Sequence, residues 1–219
     1  MSYLPKAAGH AAREESRHVA QGTIDELVKK AEQWFDDGKW YGRAVEMTRG
    51  IETTAHTAGI LALHPTLTQH RLYWTLGFFI SALWNHRCPE KIITYNHNTP
   101  NVKYIGFHLP QNKILINKGN TGDWIGHGAT GIIINQGNTG DWVGEEATGT
   151  IIAVVPTGIS GHFSGTRITA QAYKRNAALK TYVDRLLALA KDDPPAIEQE
   201  FGDGIAITER INELTRRLH

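Results

Sequence analysis

The side chains with the greatest chemical potential in this sequence are histidines and carboxylates in a glycine-rich middle segment. His108, His127 and Glu145 could form an acid–base set, because an imidazole beside a carboxylate can accept and return a proton near neutral pH. These three are the candidate catalytic residues. Two similar segments run through this part of the chain, and the second carries Glu145 where the first carries His127. That replacement favours the alternative that His127 is a solvated turn residue.

The eleven histidines also raise the question of a metal site. A helical zinc site needs two histidines four residues apart with a nearby acid. Four histidines of the first 90 residues lack this spacing: His56, His64, His70 and His86. The single cysteine, Cys88, excludes an internal disulfide and a cysteine-based zinc cluster. We therefore predict no metal and no cofactor, and we expect ordinary, partly buried imidazoles.

Two aspartates and a serine near a histidine complete the candidates. Asp123 and Asp141 occupy equivalent positions, so they would stack as like charges if they faced the same way. We expect each to form an Asx turn with its own backbone, and a bound cation is the alternative. Ser164 lies near His162 but lacks the G-x-S-x-G spacing of a nucleophile elbow. We interpret residues 161–165 as the turn that leaves the repeats.

An 18-residue repeat organises this middle segment. The stretches 116–131 and 134–149 agree at most positions without a gap. Apolar triplets between glycine-rich turns predict a coil of stacked strands, with one rung per repeat. Weaker copies on both sides extend the prediction to about four rungs. The triplets are Ile114–Ile116, Ile132–Ile134 and Ile151–Ala153.

Stacking at about 4.8 Å should align equivalent residues of neighbouring rungs. The expected pairs are Asn120 over Asn138, Trp124 over Trp142 and Ile125 over Val143. Glycines should mark places that need positive φ or where a side chain would strike the next rung. They are Gly119, Gly122, Gly126 and Gly131, with partners Gly137, Gly140, Gly144 and Gly149.

The glycine spacing of 119–126 and 137–149, together with the Asp-aromatic pair, resembles the GXGXG repeat over about residues 111–155. That repeat occurs in the C-terminal domain of the glutamate synthase large subunit and in one of the subunits of formylmethanofuran dehydrogenase. The resemblance implies a right-handed β-helix without catalytic residues of its own. Residues 125–130 also resemble one hexapeptide of a left-handed β-helix, but only a third of each repeat fits that pattern.

Helices are predicted on both sides of the coil. Residues 23–26 have the spacing of a capping box, and the pattern that follows predicts a helix from about 24 to 36. Residues 44–63 and 66–84 predict two more helices, ending at Pro65 and before Pro89. The rings of 72–84 should pack in a core against the coil, and a ligand pocket is the alternative. Two further helical stripes follow Gly165: Leu179, Tyr182, Val183, Leu186 and Ala190, then Ile207, Ile211, Leu214 and Leu218.

The composition limits the class of protein. The chain is 41% hydrophobic and 21% charged with a net charge of +1, which predicts a globular fold without the basic face of a nucleic-acid binder. The longest apolar run, 72–84, is shorter than the roughly 20 residues of a membrane span. The N-terminus lacks a secretory signal pattern, so we expect no membrane association and a cytoplasmic location.

These patterns predict one α+β body: a helical region at 1–91, a short right-handed, single-stranded β-solenoid at 92–165 and C-terminal helices at 166–219. The favoured function is a scaffold or partner-binding protein, a homo-oligomer or a component of a larger enzyme complex, because the ends of a short coil invite association. The alternative is a small enzyme with a pocket between helices and coil around His108, His127 and Glu145. The sequence favours a protein without enzymatic activity but does not decide between the two alternatives.

Overall fold

The structure is a computed structural model that describes residues 23–37, 41–154, 164–192 and 194–216. Its architecture is α+β, as predicted: a five-stranded parallel sheet belongs to a β-solenoid of about four turns, with helices from both ends of the chain on its flanks. Every strand pairs with the next along the chain, in the order β1-β2-β3-β4-β5. This order is what a coil produces, because each turn adds one strand to the edge of the sheet.

The strands are Ile92–Tyr95 (β1), Ile114–Asn117 (β2), Ile132–Asn135 (β3), Thr150–Ala153 (β4) and Thr166–Ile168 (β5). The pairing register defines a first rung at 92–113, a second at 114–131 and a third at 132–149, and the fourth begins at Thr150. The two inner rungs share the predicted 18-residue period. The fourth strand starts one residue earlier than the predicted triplet, and the sheet continues into β5, C-terminal to residue 165.

Among the described residues, five α-helices precede the coil. They are α1 (23–37), α2 (Tyr41–Met47), α3 (Ala55–Ile60), α4 (Pro65–Thr68) and α5 (Leu76–His86). The helix predicted at 24–36 is confirmed as α1. The two long helices predicted at 44–63 and 66–84 are wrong, because each is broken into shorter pieces. Gly50, with φ of 81°, separates α2 from α3. Short 3₁₀ turns, Leu61–Leu63 and Tyr73–Thr75, interrupt the rest.

In the described part of the chain after the coil there are four helices, not the two that were predicted: α6 (Ala170–Arg175), α7 (Ala177–Asp192), α8 (Pro194–Phe201) and α9 (Gly204–Arg216). The predicted stripes belong to α7 and α9, whereas α6 and α8 are too short to show a clear period. Leu218, a member of the second stripe, lies outside the described residues. Thr169 caps α6 by accepting a hydrogen bond from the Ala172 N–H at 3.2 Å.

The sheet separates two apolar cores. Because alternate side chains of a strand point to opposite faces, Leu115, Ile133 and Ile151 face the inside of the coil and join the core of the N-terminal helices. The flanking isoleucines pack against the C-terminal helices: Ile114, Ile116, Ile132, Ile134 and Ile152. All residues of β2, β3 and β4 are therefore buried, which explains their uninterrupted apolar runs.

The first rung is capped by α5, which supplies polar side chains to the backbone at the end of the coil. The Ser81 hydroxyl donates to the Tyr104 carbonyl and accepts from the Phe107 N–H, both at 3.1 Å. The Asn85 amide donates to the carbonyl oxygens of Phe107 at 2.9 Å and His108 at 3.2 Å. Terminal rungs otherwise leave such groups unpaired, so the two side chains satisfy the backbone that a preceding rung would have bonded.

The repeat glycines divide into two groups. Gly126 and Gly144 have φ of 69° and 74°, a region that favours glycine. Gly122 and Gly140 were expected at corners of positive φ, and this prediction is wrong, because neither residue has it. Close approach applies there instead: a Cβ on Gly140 would lie 2.9 Å from the Asp123 nitrogen. Positive φ falls instead on three bulky residues at an equivalent rung position, Tyr104, Trp124 and Trp142, with φ between 62° and 64°.

No helix among the described residues is long and apolar enough to cross a membrane.

Candidate functional site

A groove of about 540 Å³ lies where the helical cap meets the first two rungs. The cap contributes the segment between α4 and α5, and the coil contributes the turns before Tyr104 and Trp124. The lining residues are Thr68, His70, Arg71, Tyr73, Trp74, Pro100, Asn101, Lys103, Gly122 and Asp123. Its volume is in the range of small-molecule sites in proteins.

Cations and an indole ring dominate this groove. Trp74 is 41% exposed, which departs from the prediction that the rings of 72–84 pack in a core against the coil. Phe79 and Trp84 do obey that prediction, because both are fully buried. The Lys103 ammonium lies 6.0 Å from the centre of the Trp74 ring, and the Arg71 side chain is exposed beside them. Among the described residues, no carboxylate lies within 4.0 Å of the Arg71 guanidinium.

The Asp123 carboxylate is held by two neighbours. It forms an ion pair with Lys103 at 2.6 Å and accepts a hydrogen bond from the Asp141 N–H of the next rung at 3.0 Å. The hydrogen bond from Lys103 holds the pKa of Asp123 below its usual 3.8. The prediction that Asp123 bonds its own backbone is wrong, because stacking brings the next rung's amide within reach. The repulsion expected between the stacked Asp123 and Asp141 is thus reduced, because Lys103 and the Asp141 N–H both stabilise the Asp123 carboxylate.

Aromatic rings form a continuous column along the coil next to the groove. The predicted stacking of Trp124 on Trp142 is confirmed, with ring centres 5.1 Å apart and planes 6° apart. Tyr104 stacks on Trp124 at 5.9 Å, and Phe78 of α5 stacks on Tyr104 at 4.1 Å. Trp142, in the third rung, is 40% exposed. The column therefore runs from the cap to the third rung and leaves aromatic surface accessible at its far end.

Asparagine ladders hold neighbouring rungs together. The buried Asn117 donates to the side-chain oxygen of Asn135 at 2.7 Å, across the pair β2–β3. Asn120 donates to the side-chain oxygen of Asn98 at 2.8 Å and accepts from the Asn138 N–H at 3.2 Å. The predicted alignment of Asn120 with Asn138 is confirmed. These amides are occupied by contacts between rungs, which is the structural use expected of such ladders.

The predicted catalytic residues follow the column rings Tyr104, Trp124 and Trp142 along each turn, whereas Lys103 and Asp123 of the groove precede them. His127 occupies the rung position of Phe107 and Glu145, and its ring stacks on Phe107 at 5.2 Å with planes 6° apart. His127 lies in a turn, as predicted, but its side chain is only 17% exposed, so the prediction that it is solvated is wrong. The imidazole lies 3.4 Å from the carboxylate of Glu146, whereas Glu145 is buried at 8% exposure.

His108 is coupled to the same cluster. Burial lowers its pKa, the nearby His127 lowers it further, and Glu146 partly opposes the change. The His108 ring stacks on that of Tyr41 at 5.6 Å, and the Tyr41 hydroxyl lies 3.2 Å from His86 Nε2. The structure thus places His108 and His127 together, as the sequence suggested, but the carboxylate that interacts with them is Glu146 rather than Glu145.

The shifted imidazoles predict that acid destabilises the fold. Burial lowers the pKa of His86, His97 and His108 from the usual 6.5. Below pH 6.5 the unfolded chain therefore takes up protons that the native protein does not, and stability falls as the pH falls towards the native pKa values. We expect the free energy of unfolding to decrease modestly from pH 7.5 to 5.5, by less than about 1.4 kcal/mol per pH unit for each proton, because His86 and His108 are exposed and solvent screens them.

Urea unfolding at a series of pH values measures this effect. The variant His108→Gln should show a shallower decrease than the parent protein over the same range, because one differential proton uptake is removed. An unchanged slope would contradict the assignment of His108 to this linkage.

Sequence reasoning did not identify the groove. Trp74, Arg71 and Lys103 belong to no motif, and Arg71 and Trp74 lie within the long helix predicted at 66–84, which the structure breaks at this point. The exposed indole beside two cations is visible only after the cap has docked on the coil. Among the described residues, no group of three or more His, Cys, Asp or Glu side chains is arranged to hold a metal ion.

No protein-family model matches the sequence, and searches of curated proteins and of solved structures returned no match.

Proposed function

We propose that the protein is a non-catalytic scaffold that binds a partner, and that this partner is a second copy of the chain. The contact surface, here called the ring face, consists of Trp74, Tyr104, Trp124 and Trp142. The carrying observation is the charge distribution along this face: exposed Arg71 lies at its cap end, and exposed Asp141 at its third-rung end.

A two-fold axis makes these charges complementary. In an isologous dimer the same surface contacts itself in opposite directions. With the axis near the middle rung, the cap end of one copy meets the third-rung end of the other. Arg71 then faces the partner's acids, and the exposed indoles of Trp74 and Trp142 are removed from water. Aromatic residues and arginine are the residue types most enriched at protein interfaces.

The contacts inside the coil support a non-catalytic role. The asparagines hold neighbouring rungs together, and each oxygen of the Asp123 carboxylate already has one structural contact, with Lys103 or with the Asp141 amide. The alternative, an enzyme with a pocket around His108, His127 and Glu145, is less well supported. His127 Nδ1 and Glu145 Oε2 are both buried without a partner among the described residues. A general base needs a nitrogen or oxygen within reach of a substrate proton.

Light scattering tests the proposal. The parent protein should have twice the 24.3 kDa mass of one chain. We expect Arg71→Glu and Asp141→Lys each to weaken the dimer by about tenfold or more, because each places like charges across the interface. Combining the two substitutions exchanges the charges and should restore dimerisation.

The control for this experiment is Lys174→Glu, which reverses an exposed charge on α6 at a distance from the ring face. It should leave the dimer unchanged. A parent protein that remains a 24.3 kDa monomer at high concentration would overturn the proposal. If Arg71→Glu and Asp141→Lys both remain dimeric, the interface lies elsewhere and the assignment of the ring face as the contact surface is overturned.

The same proposal includes a cytoplasmic location and a GXGXG-type coil. The location is supported by the single cysteine, Cys88, whose thiol is buried. The coil type is supported by the two 18-residue rungs, in which the glycines, the Asp-Trp pair and the buried strand recur together. Partner binding by such a coil does not require residues of its own to perform chemistry.

A further inference from the structure

We infer that the groove between the helical cap and the first two rungs binds a nucleoside monophosphate. Three features of the groove correspond to the three chemical parts of this ligand. The cap segment between α4 and α5 provides a cationic corner for the phosphate and an exposed indole for the base, and the first two rungs provide a carboxylate with an amide for the sugar hydroxyls.

The cationic corner is formed by Arg71 and His70. Arg71 is exposed and, within the described part of the chain, unpaired with a carboxylate, so its guanidinium is available for bidentate bonding to a phosphate. The His70 ring is fixed by stacking on Phe35 at 4.3 Å and by accepting the Leu72 N–H at Nδ1. In a neutral imidazole this acceptor role leaves Nε2–H as a donor.

Trp74 provides the ring on which the base of the nucleotide would stack. Its indole is 41% exposed although the Lys103 ammonium lies 6.0 Å from the ring centre. The backbone of Trp74 is fixed because its carbonyl accepts the Lys103 N–H at 2.8 Å, which ties the cap to the first rung, and the Tyr104 ring lies 6.3 Å from the indole. Stacking of a base on such a ring is worth about 1–3 kcal/mol, or roughly 5- to 150-fold in affinity.

The sugar hydroxyls meet Asp123 and Asn101. A carboxylate has about four acceptor positions, and Asp123 uses one oxygen for Lys103 and the other for the Asp141 N–H. Acceptor positions therefore remain for hydroxyl donors, as in other nucleotide sites that hold a ribose by an acidic residue. Lys103 neutralises Asp123, which prevents the carboxylate from repelling the phosphate. The groove volume of about 540 Å³ is sufficient for a ligand of this size.

The nucleotide site would also regulate the proposed dimer. Only this regulatory part of the inference rests on the proposed function. The phosphate would occupy Arg71, which in the dimer faces the partner's Asp141. The nucleotide and the second copy therefore compete for one guanidinium. Binding of the nucleotide to a single chain does not depend on dimerisation, because Asp141 is not part of the groove lining.

Isothermal titration calorimetry with AMP, adenosine, ribose 5-phosphate and inorganic phosphate tests the inference on the full chain. We expect one AMP per chain, bound about tenfold or more tightly than any of the other three. Arg71→Gln should reduce the affinity for AMP to that for adenosine, and Trp74→Leu should reduce it to that for ribose 5-phosphate. Arg49→Gln, a change at an exposed arginine that does not line the groove, should leave AMP binding unchanged.

The variant Asp141→Lys separates the two proposals. It should remain monomeric and still bind AMP, and in the parent protein AMP should shift the dimer to monomer in light scattering. AMP binding to a parent protein that is monomeric throughout would support the groove site and overturn only the competition. No heat with AMP at millimolar concentration, equal affinity for ribose 5-phosphate, or full AMP binding by Arg71→Gln would overturn the nucleotide site.

Discussion

Replacement of Gly137 by alanine is expected to lower the free energy of unfolding by about 3 kcal/mol or more. A Cβ at this position would lie 1.8 Å from the Gly119 carbonyl oxygen and 2.6 Å from its carbonyl carbon. Both atoms belong to the backbone of the preceding rung, so no side-chain rotation relieves the clash. The rungs would have to separate, and separation would weaken the ladder of hydrogen bonds that joins β2 and β3.

Gly42→Ala is the matched control for Gly137→Ala. Gly42 lies in α2, and a Cβ there would have no heavy atom within 4 Å. Alanine should raise stability by about 0.5–1 kcal/mol at this position, because it restricts the unfolded chain and favours the helix. Guanidinium unfolding of both variants measures the contrast. A Gly137→Ala protein as stable as the parent would contradict the close approach of the two rungs.

Loss of the Lys113 ammonium is the second large effect. Lys113 is 5% exposed, and its Nζ donates to three carbonyl oxygens: Trp84 at 2.5 Å, Cys88 at 2.7 Å and Glu90 at 3.0 Å. The end of a helix leaves carbonyls without partners, and this ammonium satisfies one at the end of α5 and two in the chain that follows. It thereby joins the cap to the strand that begins the second rung.

Lys113→Met should therefore lower the free energy of unfolding by about 2–4 kcal/mol, since three carbonyls lose a charged donor at a buried site. Burial lowers the pKa of Lys113, which reflects the cost of placing the ammonium there, while Cys88 and Glu90 oppose that change. In the parent protein the three hydrogen bonds offset the cost of burying the ammonium. In Lys113→Met the three carbonyl oxygens stay in place without this donor.

Lys91→Met is the comparison for Lys113→Met. Lys91 pairs with Glu198 at 3.3 Å on the surface, where both side chains are more than 40% exposed. Exposed ion pairs contribute about 0–1 kcal/mol, so a small loss is expected. Chemical unfolding of both variants under one condition measures the difference. Equal losses for the two lysines would show that Lys113 does not secure the cap.

Short-range pattern was sufficient to predict the coil and the first helix. The capping box at 23–26 and the apolar period after it correspond to α1, because helix initiation depends on a few adjacent residues. The 18-residue repeat predicted the register of Ile114 with Ile132 and the stacking of Trp124 on Trp142. A coil repeats one local conformation, so equivalent residues must align once the period is known.

Helix lengths outside the repeat were harder to predict. Residues 44–63 and 66–84 have apolar residues in sufficient number for long helices, yet both break into short pieces. In the first segment, Gly50 with positive φ ends the turn that follows α2. In the second segment, a 3₁₀ turn at Tyr73–Thr75 comes directly before α5. These breaks let α5 lie across the first rung, where Ser81 and Asn85 meet its backbone. Packing outweighed the modest intrinsic preference of these residues for helix.

The sequence by itself determined the repeat, the rung alignment and the positions of most buried strands, because all of these follow from a period read along the chain. Only the tertiary structure decided which polar groups come together. Glu146 rather than Glu145 approaches His127, since adjacent residues of a turn point in different directions. The groove joins Arg71 and Trp74 of the cap to Lys103 and Asp123 of the first two rungs. Such contacts depend on how the cap docks, and docking is set by the combined packing of α5 and the coil rather than by any local motif.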